Sequence, residues 1–180
     1  MANVELVPMN LHWMEDGDPF ADCCVHGGTF FSIDNTVLVD GKDDDWAIST
    51  GAFNLLGTVS CDHIPTRENA LVPHCGFTMW VDESQPDGLY LPNCDLGINW
   101  RIGHEEGRVL HTFIDGQTFE MTSFEWKEVV CKFSDEIHGY FHTAWPKTFY
   151  DEMDKLGFEL FMKLWEKRRV AAENVSAVMG

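Results

Sequence analysis

Apolar and β-branched residues crowd Cys24 to Ile33, and a second β-rich run covers Thr36 to Val39. Between them stands Asp34-Asn35, a pair that tolerates the positive φ of a tight turn, so the two runs read as a hairpin. Met1 to Asp22 shows no clear periodicity and reads as an extended lead-in pinned by Leu11, Trp13 and Phe20. Asp40 to Asp45 is loop by composition, and a short strand is expected at Trp46 to Ile48. Ser49 is placed to cap a helix over Thr50 to Ser60, where Phe53, Leu56 and Val59 recur at three-residue steps. Cys61 to His74 reads as loop, Gly76 to Val81 as strand, and Asp82 to Asn93 as a loop bearing Pro and Gly.

The clearest pattern lies further on. Ile98, Trp100 and Ile102 alternate, Val109, His111 and Phe113 alternate after Glu105-Glu106-Gly107, and Asp115-Gly116 leads into Gln117 to Met121. Asp-Gly between β-rich runs signals a two-residue hairpin, so residues 97–121 form a three-stranded antiparallel meander. At Thr122 the period changes. Thr122-Ser123-Phe124-Glu125 has the spacing of a capping box, and Trp126, Val130, Phe133, Ile137 and Tyr140 or Phe141 follow at helical steps to about His142. Pro146 interrupts the chain. A last helix starts at Asp151 or Gly157 and runs to Arg169, with Val170 to Gly180 as a frayed tail. The expected fold is a single α+β domain over residues 1–180, an antiparallel sheet of hairpin plus meander with a middle helix and two C-terminal helices on one face. Trp100, Phe113, Trp126, Phe133, Ile137 and Phe161 should share its core.

Charge narrows the function classes. With 12 basic against 30 acidic residues the net charge is −18, which opposes binding to nucleic acid or anionic lipid. Met1 to Phe20 has no Lys or Arg, unlike a secretory signal, and no run approaches the ~20 apolar residues of a membrane span. The six cysteines lack the spacing of a disulfide scaffold and read as reduced thiols in a cytoplasmic protein.

Candidate chemistry is sparse. Asp135, His138 and His142 lie on one strip of the long helix, the geometry of a metal-dependent enzyme. Gly139 stands where HExxH would place its glutamate, and the strip borders an apolar seam, so no functional metal is expected there. Cys23-Cys24-Val25-His26, Cys61-Asp62-His63 and His74-Cys75 give no CxxC pair. Gly27-Gly28 lacks the Lys-Ser/Thr of a phosphate loop, and Asp40 to Asp45 lacks the ligand spacing of an EF-hand. No cofactor is implied.

The charge distribution is more telling. Residues 1–100 carry 16 acidic residues against only Lys42 and Arg67, a net of −14, whereas residues 101–180 carry 14 acidic and 10 basic, a net of −4. Acidic runs at Glu15/Asp16/Asp18/Asp22, Asp40 to Asp45 and Asp82/Glu83/Asp87 stand beside Trp13, Trp46 and Trp80. Charges steer encounter while aromatics anchor it. The expected activity is therefore non-enzymatic: neutralisation of a basic protein partner such as a nuclease toxin, in the manner of immunity proteins and inhibitors. Asp43, Asp44, Asp45, Trp46, Trp80, Asp82 and Glu83 form the expected contact set. The competing readings are the metal-dependent enzyme on Asp135, His138 and His142, and a homodimer with tryptophans in its interface.

Overall fold

A computed structural model describes residues 3–14, 17–42, 44–93 and 96–175. Strands β1 (Val4–His12), β2 (His26–Ile33) and β3 (Thr36–Asp40) form an antiparallel sheet in the order β1-β2-β3. Asp34 and Asn35 sit at φ 49° and 66°, closing β2 on β3 as their side chains allow. The lead-in is therefore a full edge strand. Its alternation is hidden because Pro8 and Leu6 point inward while Val7 points out, and because Asn10, at φ 51°, lies where the pairing slips between Met9 and His12.

Helix α1 (Ile48–Gly57) begins earlier than expected, and Ser49 lies inside it rather than at its cap. The Ser49 hydroxyl is buried and accepts the Val25 amide at 3.1 Å, so it ties the helix start to the strand entry. Trp46 contributes a single bridge to Gly27 in place of a strand. Beyond α1, β4 (Val72–Pro73), β5 (Trp80–Val81), β6 (Leu89–Tyr90) and β7 (Gly97–Ile98) make two small antiparallel ladders, β4 with β7 and β5 with β6. Only Trp80 and Val81 of the stretch 76–81 are strand. Gly76 has φ 134°, and its carbonyl accepts from the Thr50 hydroxyl at 2.7 Å.

The meander is present as β8 (Arg101–Glu105), β9 (Arg108–Thr112) and β10 (Thr118–Thr122), in a sheet separate from the first. Its two-residue turn is at Glu106-Gly107, both at positive φ, rather than at Asp115-Gly116. The second turn has three residues. Phe113 N–H donates to Gln117 O, Gly116 N–H donates to Phe113 O, and Gly116 at φ 85° absorbs the bulge.

Thr122 caps α2 (Ser123–Phe141): its hydroxyl accepts the Glu125 amide at 3.1 Å and the Glu125 carboxylate accepts the Thr122 amide at 2.8 Å. Asp151 caps α3 (Glu152–Glu173) by accepting the amides of Met153 and Asp154. Gly157 does not split this helix. It lets the chain cross: a Cβ there would stand 1.9 Å from the Met79 carbonyl oxygen. The expected tail is helical to Glu173, and its last residues, 176–180, lie outside the described residues.

The expected core is observed, with Trp100, Trp126, Phe133, Ile137 and Phe161 buried and Phe113 partly buried against them. Phe31 of β2 bridges the two main sheets, its ring 5.4 Å from Trp100, 6.1 Å from Trp126 and 6.2 Å from Phe113. Beside them Trp100 Nε1–H donates to Nδ1 of buried His111 at 3.0 Å. That bond needs a neutral imidazole, and burial depresses the His111 pKa to about 3. The far ends of the chain are fastened together by Trp13 Nε1–H donating to the Thr143 hydroxyl and Lys147 Nζ donating to the Pro19 carbonyl. Among the described residues no helix is long and apolar enough to cross a membrane.

Candidate functional site

The loop before α1 holds the first group of expected contact residues; Asp43 lies outside the described residues. Asp44 and Asp45 are exposed. Asp45 Oδ1 lies 3.3 Å from His12 Nε2 and 3.6 Å from His26 Nδ1, and on the far side of that ring His26 Nε2 faces Asp22 Oδ2 at 3.5 Å. Burial alone would raise the Asp22 carboxyl. The His26 ring and the amides of Met14 and Cys24 overcome it, holding the group below the usual carboxylate range. This carboxylate–imidazole chain was not legible in the sequence, because its members come from β1, the 18–24 segment, β2 and the 44–46 loop. Trp46 is half-buried on the core, its ring edge-on to His74 at 6.1 Å, and offers little surface.

The second group sits elsewhere, on the β5–β6 hairpin. Trp80 and Tyr90 are directly opposed across the ladder, and their exposed rings stack with centroids 5.8 Å apart at 14°. Pairing two aromatics this way holds the ribbon while leaving their outer faces to solvent. Asp82 caps the turn by accepting the Ser84 amide, and its bonds to Ser84 and Gln85 keep its carboxyl below the usual range. Glu83 beside it is exposed. No hydrogen bond, ion pair or ring contact among the described residues joins this hairpin to the 44–46 loop.

What the hairpin does adjoin is α3, because Gly157 seats the Met79–Trp80 backbone on the helix. Tyr150 (89% exposed), Met153 (67% exposed) and Leu156 project from the start of α3, and Phe77, Trp80, Val81 and Tyr90 are also exposed on the hairpin and the segment leading to it. Asp18 and Asp154 share a cleft with Phe77 and Tyr150, Asp82 and Glu83 stand in the hairpin turn, and Asp151 stands at the α3 cap. Sequence reasoning found Trp80, Asp82 and Glu83, but placed Tyr150 and Met153 only near a helix start. Nothing in a linear pattern shows that residues 77–90 lie on residues 150–157.

The pairing of charge follows the sequence asymmetry. Among the described residues, Asp87 with Arg168 is the one ion pair linking a carboxylate of residues 1–100 to a lysine or arginine. The second half instead neutralises itself: Arg108 with Glu120, Lys127 with Glu128, Lys155 with Glu152, and Arg169 with both Asp135 and Glu173.

The strip on α2 is similarly occupied. Arg169 grips Asp135 in a fork, Nε to Oδ1 at 2.6 Å and a second nitrogen to Oδ2 at 2.8 Å, and this pairing raises the Arg169 pKa. His138 lies 5.9 Å from the His142 ring and 5.8 Å from Trp165, and burial lowers its pKa. Among the described residues no three of His, Cys, Asp and Glu are arranged to hold a metal ion. The thiols of Cys23 and Cys24 are pushed up to about 11 and about 12 by burial, which leaves them protonated and weakly nucleophilic. His63 donates through Nε2 to Asn99 Oδ1 at 2.8 Å and lines a cleft of about 460 Å³ with Cys61, Glu68 and Arg168. The donor assignment follows because Asn99 uses its own Nδ2–H on the Thr66 carbonyl.

Comparison with protein-family models, with curated proteins and with solved structures returns no match, so the geometry above carries the functional reading by itself.

Proposed function

We propose that this chain is a non-enzymatic binding protein that neutralises a basic protein partner, in the manner of an inhibitor or immunity protein acting on a nuclease. One observation carries the reading: the exposed apolar side chains of the β5–β6 hairpin and the start of α3 stand beside Asp18, Asp82, Glu83, Asp151 and Asp154, which form no ion pair with lysine or arginine among the described residues, whereas Glu152 pairs with Lys155. An apolar centre inside a charged rim is the usual anatomy of a specific interface. Scattered single apolar residues need no explanation, but a group that exposes Trp80, Tyr90 and Tyr150 does. Trp80 is the anchor in this reading, Asp82 and Glu83 supply steering, and the Asp44–Asp45 loop adds to the long-range field. A cytoplasmic setting fits the free thiols of Cys23, Cys24, Cys61 and Cys131.

The test is titration against a panel of small basic nucleases, with nuclease activity and affinity both measured at low and high salt. Inhibition with an association rate that falls steeply with salt is expected. Trp80→Ala should cost about 2 kcal/mol or more of binding. Affinity that ignores salt, or that survives Trp80→Ala unchanged, would overturn the proposal.

A further inference from the structure

We infer that a cleft at the edge of this face receives an arginine side chain of the basic partner. The inference rests on the reading above and says where its central contact lies. The cleft has a volume of about 250 Å³ and is formed by the chain after β1, the 77–79 segment and the start of α3. Its apolar walls are Met14, Phe77, Phe149 and Tyr150, and its carboxylates are Asp18, Asp22 and Asp154. The volume admits one long side chain rather than a cofactor.

Charge and shape together select the occupant. Asp22 faces His26 and accepts two amides, so it supplies a fixed negative field from the floor. Asp154 and Asp18 form no ion pair with lysine or arginine among the described residues. Lys147 is close enough for its charge to act on Asp18 and Asp22, but its Nζ is committed elsewhere, donating to the Pro19 carbonyl at 2.9 Å and lying 3.5 Å from the centre of the Trp13 ring, and it does not line the cleft. A guanidinium suits such a place better than an ammonium. It sheds water more readily, lies flat on aromatic rings such as Tyr150 and Phe77, and can bridge carboxylates from opposite walls. Its aliphatic stem would rest on Met14 and Phe149.

The experiment uses the full chain, titrated with a blocked Gly-Arg-Gly-Arg-Gly peptide and with the same peptide carrying citrulline, which keeps the shape and removes the charge. Ring resonances of Phe77, Phe149 and Tyr150 are followed by NMR. Saturable shifts with the arginine peptide, at least tenfold weaker with citrulline, are expected. Asp154→Asn and Tyr150→Ala should each weaken binding fivefold or more, while Glu136→Gln, the same charge change at an exposed position of α2 outside the cleft and the contact set, changes it less than twofold. Amide spectra matching the parent protein's show that each variant is folded; Tyr150 is exposed enough that its truncation leaves the core intact. Peptide binding that shifts other acidic regions but not these rings overturns the cleft and leaves the wider reading standing. Absence of binding anywhere at low salt overturns both.

Discussion

Gly157→Ala sets two effects of opposite sign against each other. In a helix interior alanine is favoured over glycine by about 1 kcal/mol. Against this, the new Cβ would stand 1.9 Å from the Met79 carbonyl oxygen, 2.6 Å from its carbon and 3.2 Å from the Trp80 nitrogen, where ordinary contact begins near 3.4 Å. These are backbone atoms of Met79 and of Trp80, where the chain enters the β5–β6 ladder, so no side-chain rotation relieves the clash. The β5–β6 hairpin must lift, uncovering Met79 and Leu89, which are now buried. Overpacking of this kind costs about 3 kcal/mol, and the propensity gain offsets a third of it, leaving a net loss of about 2 kcal/mol. For a chain of this length that lowers Tm by about 4–8 °C. Gly139→Ala is the matched control: the site is exposed on α2, has nothing within 4 Å of the added carbon, and should gain about 0.5–1 kcal/mol. Urea unfolding of both variants, followed by circular dichroism, decides the matter. If Gly157→Ala is as stable as the parent, or shifts in the same direction as Gly139→Ala, the close crossing of hairpin and helix is wrong.

Three further outcomes follow from the bonds described. His111 titrates near 6.5 when unfolded and about 3 when folded, so the unfolded chain takes up the proton first and stability falls as pH drops through that window, by at most ~1.4 kcal/mol per unit; His111→Gln should remove this share of the slope in pH-dependent unfolding. Thr122→Ala deletes the hydroxyl that accepts the Glu125 amide, leaves the backbone half of the capping box in place, and should cost about 1 kcal/mol in the same assay. Asp135→Asn breaks the fork to Arg169, but the carboxylate is half exposed, so the loss should stay below about 1 kcal/mol and shrink in salt.

The elements readable from sequence were those whose signal is local. The Thr122 cap, the Asp34-Asn35 turn and the helical steps from Trp126 to Phe141 each involve residues within one or two turns of one another, and each is where the pattern puts it. Failures came where a distant segment decides. Ser49 looks like a cap until Val25 is brought to its hydroxyl, and Gly157 looks like a break until Met79 crosses it. The site divides in the same way. Trp80, Asp82 and Glu83 were legible as an aromatic among acids, whereas Tyr150 and Met153 join them only through the packing of α3 on the hairpin, and Trp46, chosen by the same rule, turned half inward.

The bonds that fasten the chain's far ends also set an order of events during synthesis. Trp13 meets Thr143 across 130 positions and Lys147 meets Pro19 across 128. At roughly 5–20 residues per second, a ribosome needs on the order of ten seconds to make the partner that the early segment requires. Until α2 emerges, β1 has no helix to lie on, and the apolar side of the first sheet faces water or a chaperone. Such long-range closure slows folding of a finished chain as well. Slowed translation between residues 40 and 120 should therefore raise the aggregated fraction, and a circular permutant that places the β1 segment directly after α3 should lower it.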